Sequence, residues 1–314
     1  MTVPLSVHIV AADAPGLIAR IVEADRLGLD TAWLTVGGAA PDPFAVFASA
    51  AHEAERITFG TSIVPTFPRH PITMAQGAMT VDQLAPGRLK LGVGPSHRPA
   101  IEGTWGLPFN KPLSHLREYV TVLNGLLNEG SIDFDGEQIS AHARLAQPTQ
   151  VRVMISALRT GSFRLSGELT EGGISWMCPL PYIRDVATPA QQEGADAAGR
   201  PKPAMIVHTP IVVSEDRDAV RAAARQQFGF YQRLPFYSRM LQAAGYEEAA
   251  DAEFTDRMAD GLIISGSANE VGDRVRSIGE YGVDEMLAAI VQLPEGGSEA
   301  RRRTLELLGE IASE

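Results

Sequence analysis

The chain has 314 residues, 45% of them apolar and 21% charged, enough to bury a sizeable core in one large domain or two small ones. It carries 27 basic against 38 acidic residues, a formal charge of −11, which argues against a broad nucleic-acid or anionic-membrane surface but leaves room for a small anion in a local basic pocket. Its one cysteine, Cys178, can form no intrachain disulfide, which fits a reducing cytoplasm.

Met1 to Val10 lacks a basic leader region and holds only a short apolar run, so it reads as a first strand over Val3 to Val10 rather than a signal peptide. Pro15 to Leu27 has helical spacing and stops at Gly28, and Thr31 to Thr35 is a second strand. Asp42-Pro43 opens a helix with an acidic cap and a proline in its first turn. Ile57 to Ile63 is strand three, with a helix from Pro71, and Arg88 to Val93 is strand four, followed by an amphipathic helix over Leu113 to Leu127. Val151 to Ser156 and Ile174 to Met177 are strands five and six, with helices over Gly161 to Leu169 and Ile183 to Ala198. Met205 to Val213 is strand seven, and a helix runs from Glu215 past Arg225. Asn269 to Tyr281 is helical, Glu285 to Val291 is strand eight, and Glu299 to Ile311 is a closing helix. Nowhere do about eighteen apolar residues run together, so no transmembrane helix is expected.

Strands alternating with helices imply a parallel sheet with right-handed crossovers. Eight strands with no interdomain linker favour a closed (β/α)8 barrel, an α/β fold in one domain over residues 1–314, over an open doubly wound sheet. Three connections exceed ordinary loop length: Gly94 to Pro112, Gly130 to Gln150 and Phe228 to Gly261. The first two are insertions after strand four and the third follows strand seven. Phe228, Phe230, Tyr231, Phe236 and Tyr237 in the last read either as a helix packed on the barrel or across a homodimer interface, or as an apolar lid.

Catalytic groups in such barrels sit at the C-terminal ends of the strands. Strand three runs into Arg69-His70, strand four into His97-Arg98 and strand five into Arg159. Together with helix N-termini, this basic set reads as an anion site for phosphate or carboxylate. Gly92-x-Gly94 lacks the third glycine and the downstream acid of a dinucleotide fingerprint. No histidine pair with metal spacing and no Gly-x-Ser-x-Gly elbow occurs, so neither a metal site nor a serine hydrolase is expected.

Within Gly60 to Arg117, the segments PTFPRHP, SHRPAIEGTWG and HLREY resemble the luciferase-like flavin and deazaflavin oxidoreductases, more narrowly the actinobacterial branch that uses coenzyme F420. Weaker similarity covers nearly the whole chain. The resemblance implies a luciferase-like TIM barrel and F420, with riboflavin phosphate (FMN) as the alternative cofactor. It implies a non-prolyl cis peptide at Ser62–Ile63 beneath the cofactor ring, with Thr35, Gly94, Ser96, His97 and Arg98 near ring and phosphate. His97 stands where sugar-phosphate dehydrogenases of the family carry a carboxylate, which makes it the candidate acid/base. The turn Ala157-Leu158-Arg159-Thr160-Gly161 stands where the family admits a phosphate, with Arg159 in place of an expected glycine. After strand two, Thr35-Val36-Gly37-Gly38 lacks the histidine of many deazaflavin dehydrogenases. Trp105 and Phe109 either bound the substrate space or pack their loop down. The implied activity is F420-dependent hydride transfer to or from an organic small molecule; the alternatives are an FMN-dependent monooxygenase and a non-catalytic cofactor-binding barrel.

Overall fold

The computed structural model describes residues 2–147, 149 and 151–314. Eight parallel strands form the barrel: β1 (Leu5–His8), β2 (Thr31–Leu34), β3 (Thr58–Thr61), β4 (Leu89–Gly94), β5 (Arg152–Ser156), β6 (Gly172–Trp176), β7 (Ala204–Val213) and β8 (Glu285–Ile290). Each pairs with its neighbours in sequence order, and β8 closes on β1 with Leu5 opposite Met286. The helices between strands begin where the sequence supplies caps. Asp13 accepts from the Gly16 amide at 2.8 Å ahead of helix Ala14–Arg26, and Asp42 accepts from the Phe44 amide at 2.9 Å ahead of Pro43–Ala50. Proline in the first turn removes an N–H that no carbonyl could have met.

The barrel centre is plugged by Trp33, Met154, Ile174, Ile206 and Leu287. Towards the N-terminal ends of the strands lies a buried polar cluster. Glu285 Oε1 accepts from Ser6 Oγ at 2.6 Å and Trp33 Nε1 at 3.0 Å, while Lys90 Nζ donates to Glu285 Oε2 at 2.5 Å and Thr31 Oγ1 at 2.8 Å. Every charge there has a partner, which the low-dielectric interior requires.

The long connections carry their own structure. Gly94 to Pro112 contains helix Arg98–Trp105, and the second contains an antiparallel hairpin, Ser131–Asp135 with Ser140–Arg144. Pro148 and Gln150, at the end of that second stretch, lie outside the described residues. Phe228 to Gly261 folds into helices Pro235–Ala243 and Asp256–Leu262 with short 3-10 turns. A strand the sequence reading did not separate, Ile264–Gly266, extends the sheet beside the end of β7, with Ile211 opposite Ile264. It is too short to show a period of two. Among the described residues no helix is long and apolar enough to cross a membrane, and no group of His, Cys, Asp or Glu is placed to hold a metal.

Candidate active site at the C-terminal rim of the barrel

Side chains alternate faces along a strand, so a residue two places beyond an inward one also points inward. Trp33, Met154, Ile174, Ile206 and Leu287 are inward. Thr35, Ser156, Trp176, His208 and Ala289 therefore stand above them on the C-terminal rim, and inward Ser6 puts His8 there too. A Cβ on Gly92 would meet Ile174 Cδ1 at 2.7 Å, so Gly92 faces inward and Gly94 joins the rim.

One relation locates the rim on β3. Phe59 and Gly60 pair with Leu89 and Lys90, yet Val64 and Pro65 pair with Val93 and Gly94, so Thr61, Ser62 and Ile63 oppose only Leu91 and Gly92. The extra residue is a bulge, and within it the Ser62–Ile63 peptide is cis, as the resemblance implies. Thr35 Oγ1 donates to the Ser62 carbonyl at 2.8 Å and lies 3.3 Å from Ser62 Oγ. Ile63 packs against the central plug. Gly94 is bare for a steric reason: a Cβ there would lie 2.2 Å from Ser156 Oγ.

Beyond β4, Ser96 holds a left-handed φ of 60°, the kind of backbone position that clusters at functional sites. His97 precedes helix Arg98–Trp105 without capping it. Its Nδ1 is buried without a partner, and burial holds its pKa below the usual imidazole value. Arg98 is committed elsewhere. It pairs with Glu102, donates to the Phe109 carbonyl at 2.9 Å and lies 5.4 Å over the Phe109 ring. Phe109 is buried against Phe67, whereas Trp105 is 44% exposed at the end of its helix.

Beyond β5, Ala157 is buried, and the Leu158 and Arg159 amides donate to Ser162 Oγ at 3.1 and 3.3 Å. Thr160 and Gly161 begin helix Thr160–Leu169, so their amides lie in its first turn. The basic set expected after strands three to five is divided. Arg69 pairs with Asp42, His70 accepts from the Ile72 amide at the start of its own helix, and Arg98 pairs with Glu102. Arg159 is exposed and has no acidic partner among the described residues.

The opposite side of the rim is aromatic. His8 and His208 meet edge to face at 5.1 Å between centroids, and Trp176 lies 4.2 Å from His208. The segment after β7 covers them. Tyr231 lies 5.8 Å from Trp176, Tyr237 lies 4.8 Å from Tyr231, and His97 lies 5.5 Å from Tyr237. The rings thus run from the loop after β4 across the mouth to β1. Met177, next to Trp176, has a left-handed φ of 56°. Trp176 Nε1 and His208 Nε2 are buried without a well-aligned hydrogen bond, although the Trp176 side chain lies close enough to the Tyr231 hydroxyl to offset part of the rise that burial gives the Tyr231 pKa. Burial lowers the His8 pKa to about 4, and burial with His8 alongside pushes that of His208 well below the usual value.

Residues 5–285 match the model of the luciferase-like monooxygenase family. The chain belongs to that family. It is an oxidoreductase whose closed barrel is the family's fold. An F420-dependent glucose-6-phosphate dehydrogenase of Beutenbergia cavernae is 29% identical over 292 residues, 86% of each chain. An F420-dependent secondary alcohol dehydrogenase, solved with an F420-acetone adduct, superposes with a TM-score of 0.81 at 17% identity, covering 99% of this chain and 98% of that one. The FMN-bound oxygenating constituent of 3,6-diketocamphane monooxygenase from Pseudomonas putida superposes with a TM-score of 0.76 at 17% identity, covering 100% and 99%.

In this luciferase-like barrel the motifs legible in the sequence mark the β2–β5 side of the rim, and none of them includes His8, Trp176 or His208. A signal for two of them was present. Trp176 and His208 each stand two residues beyond an isoleucine of the barrel plug.

Proposed function

We propose that this luciferase-like oxidoreductase uses coenzyme F420 to transfer a hydride to or from an uncommitted organic substrate. The carrying observation is its likeness to an F420-dependent dehydrogenase over 86% of both chains. The rim fits such a group. Thr35, Ser62, Gly94 and Ser156 form its small-residue side, next to the bulge at Ser62–Ile63. Ser62, Ile63, Gly94, Ala157 and Leu158 would lie against the ring system, and Ser96 beside it. Unpaired Arg159, with the Thr160 and Gly161 amides at a helix N-terminus, would hold the anionic tail. When bound, the deazaflavin supplies two-electron hydride chemistry. The protein's part is to orient the substrate, exclude water beneath the Tyr231–Tyr237 segment and move a proton at His97 Nδ1. That atom is buried, unbonded and neutral at pH 7, the state a general base needs.

The second reading, an FMN-dependent monooxygenase, draws on the family model. Oxygen uptake separates the two. With reduced FMN in air, uptake is expected to be no faster than the free cofactor gives; protein-stimulated uptake coupled to substrate oxygenation would put the monooxygenase reading in its place.

A further inference from the structure

We infer that the aromatic half of the rim is a recognition site for an uncharged substrate, an apolar body carrying one hydroxyl or carbonyl oxygen, held at that oxygen by Trp176 Nε1 and His208 Nε2. The inference rests on the oxidoreductase reading of the rim and names the substrate class it serves.

The rim divides into unlike halves. From β2 to β5 it presents the small residues Thr35, Ser62, Gly94 and Ser156. From β6 through β7 to β1 it presents Trp176, His208 and His8, roofed by Tyr231 and Tyr237. Buried polar atoms ordinarily find partners, and each exception calls for an explanation. Here two fall on adjacent rings with centroids 4.2 Å apart, both on side chains facing the barrel mouth. An indole N–H can only donate, and the nearby Tyr231 hydroxyl closes no well-aligned bond with it, so Trp176 still has a hydrogen to give an acceptor. A neutral imidazole either donates or accepts, so His208 takes a carbonyl oxygen or a hydroxyl. One oxygen between them satisfies both.

The same wall disfavours an anion. Among the described residues no guanidinium or ammonium bonds to Trp176, His208, His8, Tyr231 or Tyr237, and none lies over their rings. Arg69 and Arg98, the basic groups nearest in sequence to the rim on β3 and β4, are neutralised by Asp42 and Glu102. Aromatic faces carry negative potential, and a buried charge without a counter-charge is costly. These rings offer a phosphorylated sugar no charge partner of their own, whereas an alcohol or ketone with a hydrocarbon body meets apolar rings and two hydrogen-bonding groups.

The test is calorimetric titration of the full chain, saturated with whichever of F420 and FMN it binds more tightly, or alone if it binds neither. Cyclohexanol, cyclohexanecarboxylate and glucose 6-phosphate are the probes. Cyclohexanol is expected to bind saturably and both anions at least about tenfold more weakly. Trp176→Phe, which keeps an aromatic body but removes the donor, and His208→Leu are each expected to weaken cyclohexanol about tenfold, the loss of one hydrogen bond. Thermal melting establishes that each variant is folded; if His208→Leu is not, Trp176→Phe decides. Absence of saturable cyclohexanol binding, tighter binding of either anion, or unchanged affinity in folded Trp176→Phe overturns the inference. Its failure with F420 bound leaves the F420 reading standing. Success with FMN bound more tightly removes the F420 reading and leaves this inference standing.

Discussion

The hydroxyl of Thr61 stands in for a strand partner of Gly92. It donates to the Gly92 carbonyl at 2.8 Å and accepts from the Gly92 amide at 2.9 Å. A Cβ on Gly92 would lie 1.9 Å from the Thr61 carbonyl oxygen, so the approach demands glycine. This contact bridges the bulge that carries Ser62 to the rim. Thr61→Val keeps the shape and removes both bonds, leaving a buried amide unpaired. It is expected to cost about 2 kcal/mol in denaturant unfolding and to weaken cofactor binding. Unchanged stability would show that the hydroxyl does not hold the bulge.

Lys90 and Glu285 form a second determinant, deep in the barrel, with side chains 10% and 7% exposed. Lys90→Met leaves Glu285 charged and short of a partner, at an expected cost of about 3–5 kcal/mol. In Lys90→Met/Glu285→Gln no charge remains, and the amide oxygen still accepts from Ser6 and Trp33. A double-mutant cycle by urea unfolding is expected to recover most of the loss; additive losses would contradict the pairing.

Stability is expected to fall with acid earlier than carboxylate titration would bring it. Burial lowers the pKa of both His8 and His115 to about 4, against Glu118 nearby in the case of His115. The unfolded chain takes up these protons near pH 6.5 while the folded chain resists, so stability is complete above about pH 6.5 and declines towards 4. Exposed His142, raised by Asp133, acts with the opposite sign. Between pH 7 and 5 each buried histidine is expected to cost up to about 2 kcal/mol. His115→Gln is expected to shrink that loss in urea titrations at the two pH values; an undiminished loss would mean His115 does not contribute.

His97→Gln is expected to reduce turnover by about 10²–10⁴ while leaving cofactor affinity nearly unchanged. In the parent enzyme the acid limb of kcat is expected to have its midpoint below 6.5, because burial keeps the imidazole neutral to lower pH. Retained turnover in the variant would remove the proton-transfer role.

The barrel was legible because its signals are local. Helix caps such as Asp42-Pro43 and the strand–helix alternation need no long-range information, and both stand in the structure. The rim was half legible. Its β2–β5 side was marked by a family resemblance over Gly60 to Arg117. Its aromatic side needs the register of β6, β7, β8 and β1 together before His8, Trp176 and His208 become neighbours. Ion pairing was hidden for the same reason. Arg98 and Arg159 look alike in sequence, yet Glu102, one helical turn on, neutralises the first while the second has no acid beside it among the described residues.

An F420 site on this rim is open to a side-by-side fluorescence titration with F420 and FMN. The expected Kd for F420 is of about micromolar order, at least about tenfold tighter than for FMN, with a loss of about tenfold or more for F420 in Arg159→Ala. FMN binding as tightly as F420 or more tightly, or an Arg159→Ala variant with undiminished F420 affinity, would contradict it.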